Sequence, residues 1–173
     1  MAIIRKAEVK ELQELLSLAK KIFSETFESA NNPSDFKIYM DEAFNEKKIQ
    51  EEFHEKGSQF YVALESGTIV GYARVRENSE VDSLMGGNHI ELQRIYVDTP
   101  WQGKGISVEL LKKCEEHVMA LGKEWIWLGV WEHNPKAQHF YQKHGYEKFS
   151  EHRFRLGNDP QTDWLMKKRL VIQ

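Results

Sequence analysis

An α/β fold, with helices laid over a mixed β-sheet, is what this 173-residue sequence predicts. Residues 58–76 hold two β-rich runs joined around Ser66 and Gly67, which reads as a hairpin. Residues 89–131 read strand, long helix, strand, a βαβ unit whose crossover should be right-handed. The second strand of that unit, "EWIWLGVWE", is apolar on both faces, with Trp125, Trp127 and Trp131 on one and Ile126, Leu128 and Val130 on the other. A strand buried on both faces belongs in the centre of a sheet, parallel to a neighbour.

Residues 3–7 form a short first strand. Leu12, Leu15, Leu16, Ala19, Ile22 and Phe23 then recur at helical spacing and give one face of an amphipathic helix. Asn31, Asn32 and Pro33 break it, and further helices are expected over about 34–44 and 46–54. After the hairpin, "NSEVDSLMGGN" reads as a polar loop and "HIELQRIYV" as a strand. Ile106, Leu110, Leu111, Cys114, Val118 and Leu121 mark the long helix, which Gly122 ends. Asn134 and Pro135 start another as N-cap and first-turn residue, with Ala137, Phe140, Tyr141 and His144 on one face. Gly145 closes it, and strands over about 146–155 and 162–170 complete the chain. No repeat, linker or low-complexity tract interrupts this run, so a single domain over residues 1–173 is expected.

Composition limits what such a domain does. With 40% hydrophobic and 29% charged residues the chain reads as an ordinary soluble protein, and a net charge of −3 gives no reason to expect nucleic acid. The lone cysteine, Cys114, forms no internal disulfide, and the start "MAIIRKAEVKEL" lacks a signal peptide's apolar run. A cytoplasmic setting is expected. The longest apolar stretch, "WIWLGVW", is far short of the roughly 20 residues a membrane helix needs. Charge is uneven, with residues 1–98 carrying 12 Lys and Arg against 18 Asp and Glu and residues 99–173 carrying 12 against 9. That asymmetry fits either two ligands of opposite charge or two solvated faces. His133 and His54 lack companions at metal-ligand spacing, so no metal is expected.

The stretch "DTPWQGKGIS" passes from a proline turn through two glycines into the long helix. Backbone N–H groups in a helix's first turn have no partner within the helix, and the dipole there is positive, which suits an anion. Glycines let the backbone approach a phosphate closely. Neither a P-loop nor Gly-x-Gly-x-x-Gly is present, and the same glycines would serve a plain strand-to-helix turn.

In its context the motif resembles that of the GNAT family of N-acetyltransferases, over nearly the whole chain. The family's Arg/Gln-x-x-Gly-x-Gly/Ala turn is matched by Gln102, Gly103, Lys104, Gly105, Ile106 and Ser107, with Ser107 departing at the last, small position. "LGVWEHNPKAQHFYQKHGY" is similar to the family's second signature, and "FSETF", "RIYV", "IWLGVWE" and "GNDPQTDWLM" bring the likeness closer to bacterial polyamine N-acetyltransferases of the PaiA type. The resemblance implies a mixed, mostly antiparallel central sheet with strands four and five parallel and splayed, and helices on both faces. It implies acetyl-coenzyme A as co-substrate, its pyrophosphate on the N–H groups from Gly103 to Ser107 and its pantetheine amides along Ile95, Tyr96 and Val97. The strands would part at about Gly129, and Asn134, with Lys136 or Lys143, would reach the same molecule.

The implied reaction needs two proton transfers. A primary amine must lose a proton before it attacks, which costs roughly 4–5 kcal/mol at neutral pH. Glu91, on the strand leading to the cradle, is the candidate base, directly or through water, with a plain strand carboxylate as its other reading. Tyr141 stands where the family places the acid that protonates the leaving thiolate. A backbone N–H of residues 94–97 would meet the oxyanion, and transfer would be direct. Cys114, on an apolar helix face, reads as core packing. The acceptor site is expected from the first helices, whose Glu25, Glu28, Asp41 and Glu42 suit a polyamine such as spermidine or spermine, although solvated helix faces would look the same.

Overall fold

The pattern of turns and periods folds as one seven-stranded sheet in a computed structural model that describes residues 2–170. The strands are β1 (Ile3–Lys6), β2 (Gln59–Glu65), β3 (Thr68–Arg76), β4 (His89–Val97), β5 (Trp125–Trp131), β6 (Glu147–Leu156) and β7 (Asp159–Arg169), in the order β1-β2-β3-β4-β5-β7-β6. Every neighbouring pair is antiparallel except β4 and β5. Between β2 and β3, Ser66 and Gly67 both take positive φ, 49° and 79°, as a two-residue hairpin turn requires.

Helices cover both faces. Helix α1 (Leu12–Phe27) and helix α3 (Glu46–His54) put Leu15, Leu16, Ile22 and Ile49 against Phe60, Val62, Ile69 and Tyr72. Helix α2 (Pro33–Ala43) begins where Asn32 accepts from the Ser34 and Asp35 amides. On the opposite face, helix α5 (Ile106–Ala120) and helix α6 (Pro135–Lys143) pack over Ile90, Leu92, Ile126, Leu128 and Val130. Strand β5 is therefore buried on both sides, because Trp127 faces the other way, fully buried with Val81 and Leu165.

Two expectations need correction. "NSEVDSLMGGN" is not an open loop, for it coils into a 3₁₀ turn and a short helix α4 (Asp82–Met85). Val81 and Met85 are drawn in because Trp127 needs a cover. The last strand begins three residues earlier than expected, so only Gly157 and Asn158 separate it from the strand before, with φ at Gly157 of 64°.

Candidate active site

The site forms where β4 and β5 part. Their parallel register runs His89 with Trp125, Ile90 with Ile126 and Glu91 with Trp127, and then stops although both strands continue. A register shift lies beside this point, for Arg74 pairs with Arg94 but Val75 with Leu92, so Gln93 bulges out of β4. A bulge bends its strand and raises its twist. The remainder of β4, through Ile95, Tyr96 and Val97, is thus free of β5 and lines a crevice with Gly129, Val130 and Trp131.

The parting precedes Gly129 by two residues, and that glycine serves a different purpose from the one expected. A Cβ there would come within 3.2 Å of Asp163 Oδ2 and 3.5 Å of His152 Nε2, so its absence leaves room for that pair.

At the crevice's outer end, Gly103 and Gly105 take φ of 77° and 82°, Gly105 being the N-cap of α5. A Cβ on either would meet nothing within 4 Å, so the glycines are required by backbone conformation and the space before the helix is open. Gln102 donates to the Val97 carbonyl at 3.0 Å and ties the turn to β4. Lys104 lies over the Trp101 ring at 4.9 Å. Ser107, Asn134 and Lys136 line the crevice, and Asn134 also caps α6 by accepting from the Ala137 amide at 3.3 Å. Ile106 puts its side chain into the core, which leaves only its backbone to the crevice. Lys143 is exposed in the last turn of α6 and does not line the crevice.

Tyr141 closes the inner end. It is buried, its hydroxyl makes no hydrogen bond among the described residues, and burial raises its pKa well above that of an ordinary phenol. A phenol so placed stays protonated and can donate. Cys114 is wholly buried beside it in the core, its thiol pKa pushed up by desolvation, which disqualifies it as a nucleophile.

A second cavity of about 270 Å³ adjoins the crevice, sharing Phe27, Gln93, Arg94, Tyr96, Gly129 and Trp131. Phe23, Tyr39, Phe44 and Phe154 add aromatic walls, and Glu91 and Asp163 bring carboxylates. Glu91 Oε1 accepts from Arg76 Nε at 2.5 Å and Asn78 Nδ2 at 3.1 Å, leaving Oε2 without a partner among the described residues. Arg94, farther along β4 in the same lining, gives both terminal nitrogens to Glu52 at 3.0 and 2.8 Å.

None of the four expected acceptor carboxylates lines this cavity. Glu25 accepts from Thr99 Oγ1 at 2.9 Å, Asp41 pairs with Lys37 at 2.7 Å, and Glu28 and Glu42 are exposed on their helices. The acids that do line it, Glu91 and Asp163, come from the sheet. Of these, sequence reasoning missed Asp163, although an acidic residue breaking an apolar strand in "TDWLM" was a visible signal. No group of three or more His, Cys, Asp or Glu able to hold a metal occurs among the described residues, and no helix there is long and apolar enough to cross a membrane.

Comparison with known proteins accords with this geometry. Residues 12–146 match the family model described as the acetyltransferase (GNAT) family. A relative in Lactobacillus delbrueckii subsp. lactis, called an uncharacterized N-acetyltransferase of the pepI 3' region, is 38% identical over 94% of each chain. The spermine/spermidine N(1)-acetyltransferase of Bacillus subtilis is 32% identical over 82 residues, 47% of this chain and 54% of that protein. Among solved structures, the PaiA N-acetyltransferase of Thermoplasma acidophilum in complex with coenzyme A superposes with a TM-score of 0.79 at 21% identity, covering 98% of this chain and 99% of that one.

Proposed function

The chain belongs to the acetyltransferase (GNAT) family and is an acetyl-coenzyme A-dependent N-acetyltransferase; we propose that its acceptor is a polyamine, taken into the aromatic cavity beside the parted strands. The observation that carries this reading is the meeting of two cavities where β4 and β5 part beyond Glu91 and Trp127, one fitted to a thioester and the other to an alkylammonium chain. Open backbone along β4 suits pantetheine amides, and the glycine turn before α5 suits a pyrophosphate. Aromatic faces attract cations and also cover methylenes. Kinship to spermine acetyltransferases over about half the chain supports the polyamine over other amines.

In this reading Glu91 takes the acceptor's proton on its unpaired Oε2, while Arg76 and Asn78 fix the carboxylate through Oε1. The neutral amine attacks the thioester carbonyl, and a β4 amide from residues 94–97 stabilises the oxyanion that develops. Tyr141 then gives its proton to the departing thiolate, and the acetylated amine leaves without a covalent enzyme intermediate. Gly103, Gly105, Ser107, Asn134 and Lys136 hold the cofactor's outer half.

The test is release of free thiol from acetyl-coenzyme A with spermidine, spermine, a lysine peptide or no acceptor. Release with the polyamines is expected. Tyr141→Phe should lower kcat by about 10² or more, and Glu91→Gln should lower it by a similar factor. Cofactor binding without release toward any acceptor would leave a binding module, and release with the peptide alone would discard the polyamine.

A further inference from the structure

Asp163 and His152 stand at the edge of the acceptor cavity with no part in the chemistry so far. Asp163, on β7, pairs across from Trp131, and His152, on β6, pairs across from Asp163, so all three share the sheet face that carries the cavity. His152 Nε2 lies 3.2 Å from Asp163 Oδ2, and its Nδ1 lies 2.6 Å from Glu80 Oε1. The imidazole thus bridges a cavity carboxylate to a surface one. Asp163 Oδ1 has no hydrogen bond among the described residues.

The unpaired carboxylate oxygens of the cavity point to a cationic occupant. The cavity's three cations are Arg76, Arg94 and His152, with the imidazole protonated between its two carboxylates. They are matched by Glu91, Glu52, Asp163 and Glu80, and Arg74 behind them shares Glu52 and adds Glu55. Glu80 and Glu55 are exposed to solvent, so within the cavity itself the acceptors left open to an occupant are the free oxygens of Glu91 and Asp163. Glu91 and Asp163 are alike in construction, each spending one oxygen on a cation behind it and keeping the other free. Two such carboxylates in one cavity serve two nitrogens.

We propose that Asp163 docks a second, cationic nitrogen of the acceptor while the reacting nitrogen sits at Glu91, and that His152 is the positioning residue that orients Asp163. The chain is thereby a selector of diamines and polyamines over monoamines of equal length. Gly129 is the third part of the device, since any side chain there would press on Asp163 Oδ2. This inference rests on the polyamine reading above and deepens it.

The experiment compares 1,4-diaminobutane with butylamine as acceptors for wild type, Asp163→Asn, Asp163→Glu and His152→Gln, and measures calorimetric binding of both amines in the presence of coenzyme A. Wild type should favour the diamine. Asp163→Asn should lower the diamine-to-butylamine ratio of kcat/KM at least about tenfold, the worth of a hydrogen bond to a charged group. Asp163→Glu should recover part of that ratio, and His152→Gln should raise the diamine KM more than it lowers kcat. Equal losses for both amines in Asp163→Asn, or equal binding of both by wild type, would overturn the proposal. Diamine binding that depends on Asp163, without turnover, would uphold this site and sink the polyamine reaction; turnover of both amines without preference would do the reverse.

Discussion

At His152 the fold holds an imidazole between carboxylates of two other segments, and the consequence extends to stability. The Asp163 hydrogen bond, against the cost of burial and with help from Glu80, raises its pKa from 6.5 to about 9. A group whose folded pKa is the higher binds its proton more tightly in the folded state. Its stabilisation is complete below about pH 6.5 and is lost as pH rises through about 9. Wild type should therefore lose resistance to urea across that window, and His152→Gln should show a flatter profile. Parallel profiles for the two proteins would mean that the imidazole is not held by its carboxylates in solution. Tyr141 shows the same logic with the opposite use, since there burial without a partner keeps a phenol protonated beside the crevice.

Elements place these residues, and the turn from β4 into α5 shows how. Gly105 takes a left-handed conformation that costs other residues about 1–2 kcal/mol, yet a Cβ there would touch nothing. Gly105→Ala should thus lower stability by about 1 kcal/mol and raise the KM for acetyl-coenzyme A several-fold, as the helix's first N–H groups are turned from the phosphate. Chemical denaturation and initial rates at varied cofactor check both halves; a drop in stability with KM unmoved would make this glycine a turn former only. This turn was legible in the sequence because glycine pairs, caps and helical periodicity are local signals. The coil at 79–85 was not, because Val81 and Met85 are apolar for the sake of Trp127, some forty residues away in sequence. Nor was the acceptor wall. The acids of α1 and α2 are visible as a charged run, but the residues that line the cavity from those helices are Phe23, Phe27 and Tyr39, on faces turned to the sheet.

Across the whole molecule, the two halves of the site are built from different parts of the chain. No residue of α2, β6 or β7 lines the cofactor crevice, whereas Tyr39, His152, Phe154, Leu156, Gln161 and Asp163 line the acceptor cavity. That wall exists because the tip of the β6–β7 hairpin is fastened to α2 and to the turn that leads into it: the Asn158 amide donates to Asp35 Oδ1 at 3.0 Å, and Gln161 Nε2 to Asn31 Oδ1 at 2.6 Å. Long-range docking of this kind joins residues over a hundred positions apart, which explains why Asp163 escaped a reading of local patterns. The contact is close at Gly157, where a Cβ would overlap the Asp35 carbonyl oxygen, and backbone on both sides cannot yield as a flexible side chain would. Gly157→Ala must then lift the tip from α2 or shift α2 itself. Either movement widens the acceptor cavity and leaves the glycine turn and the β4 edge alone, so the KM for the acceptor should rise several-fold while the KM for acetyl-coenzyme A stays within about twofold of wild type. Initial rates with each substrate varied in turn make the comparison. Equal increases in both constants would show that the hairpin supports the sheet as a whole, and the division of the site into two independently built halves would be wrong.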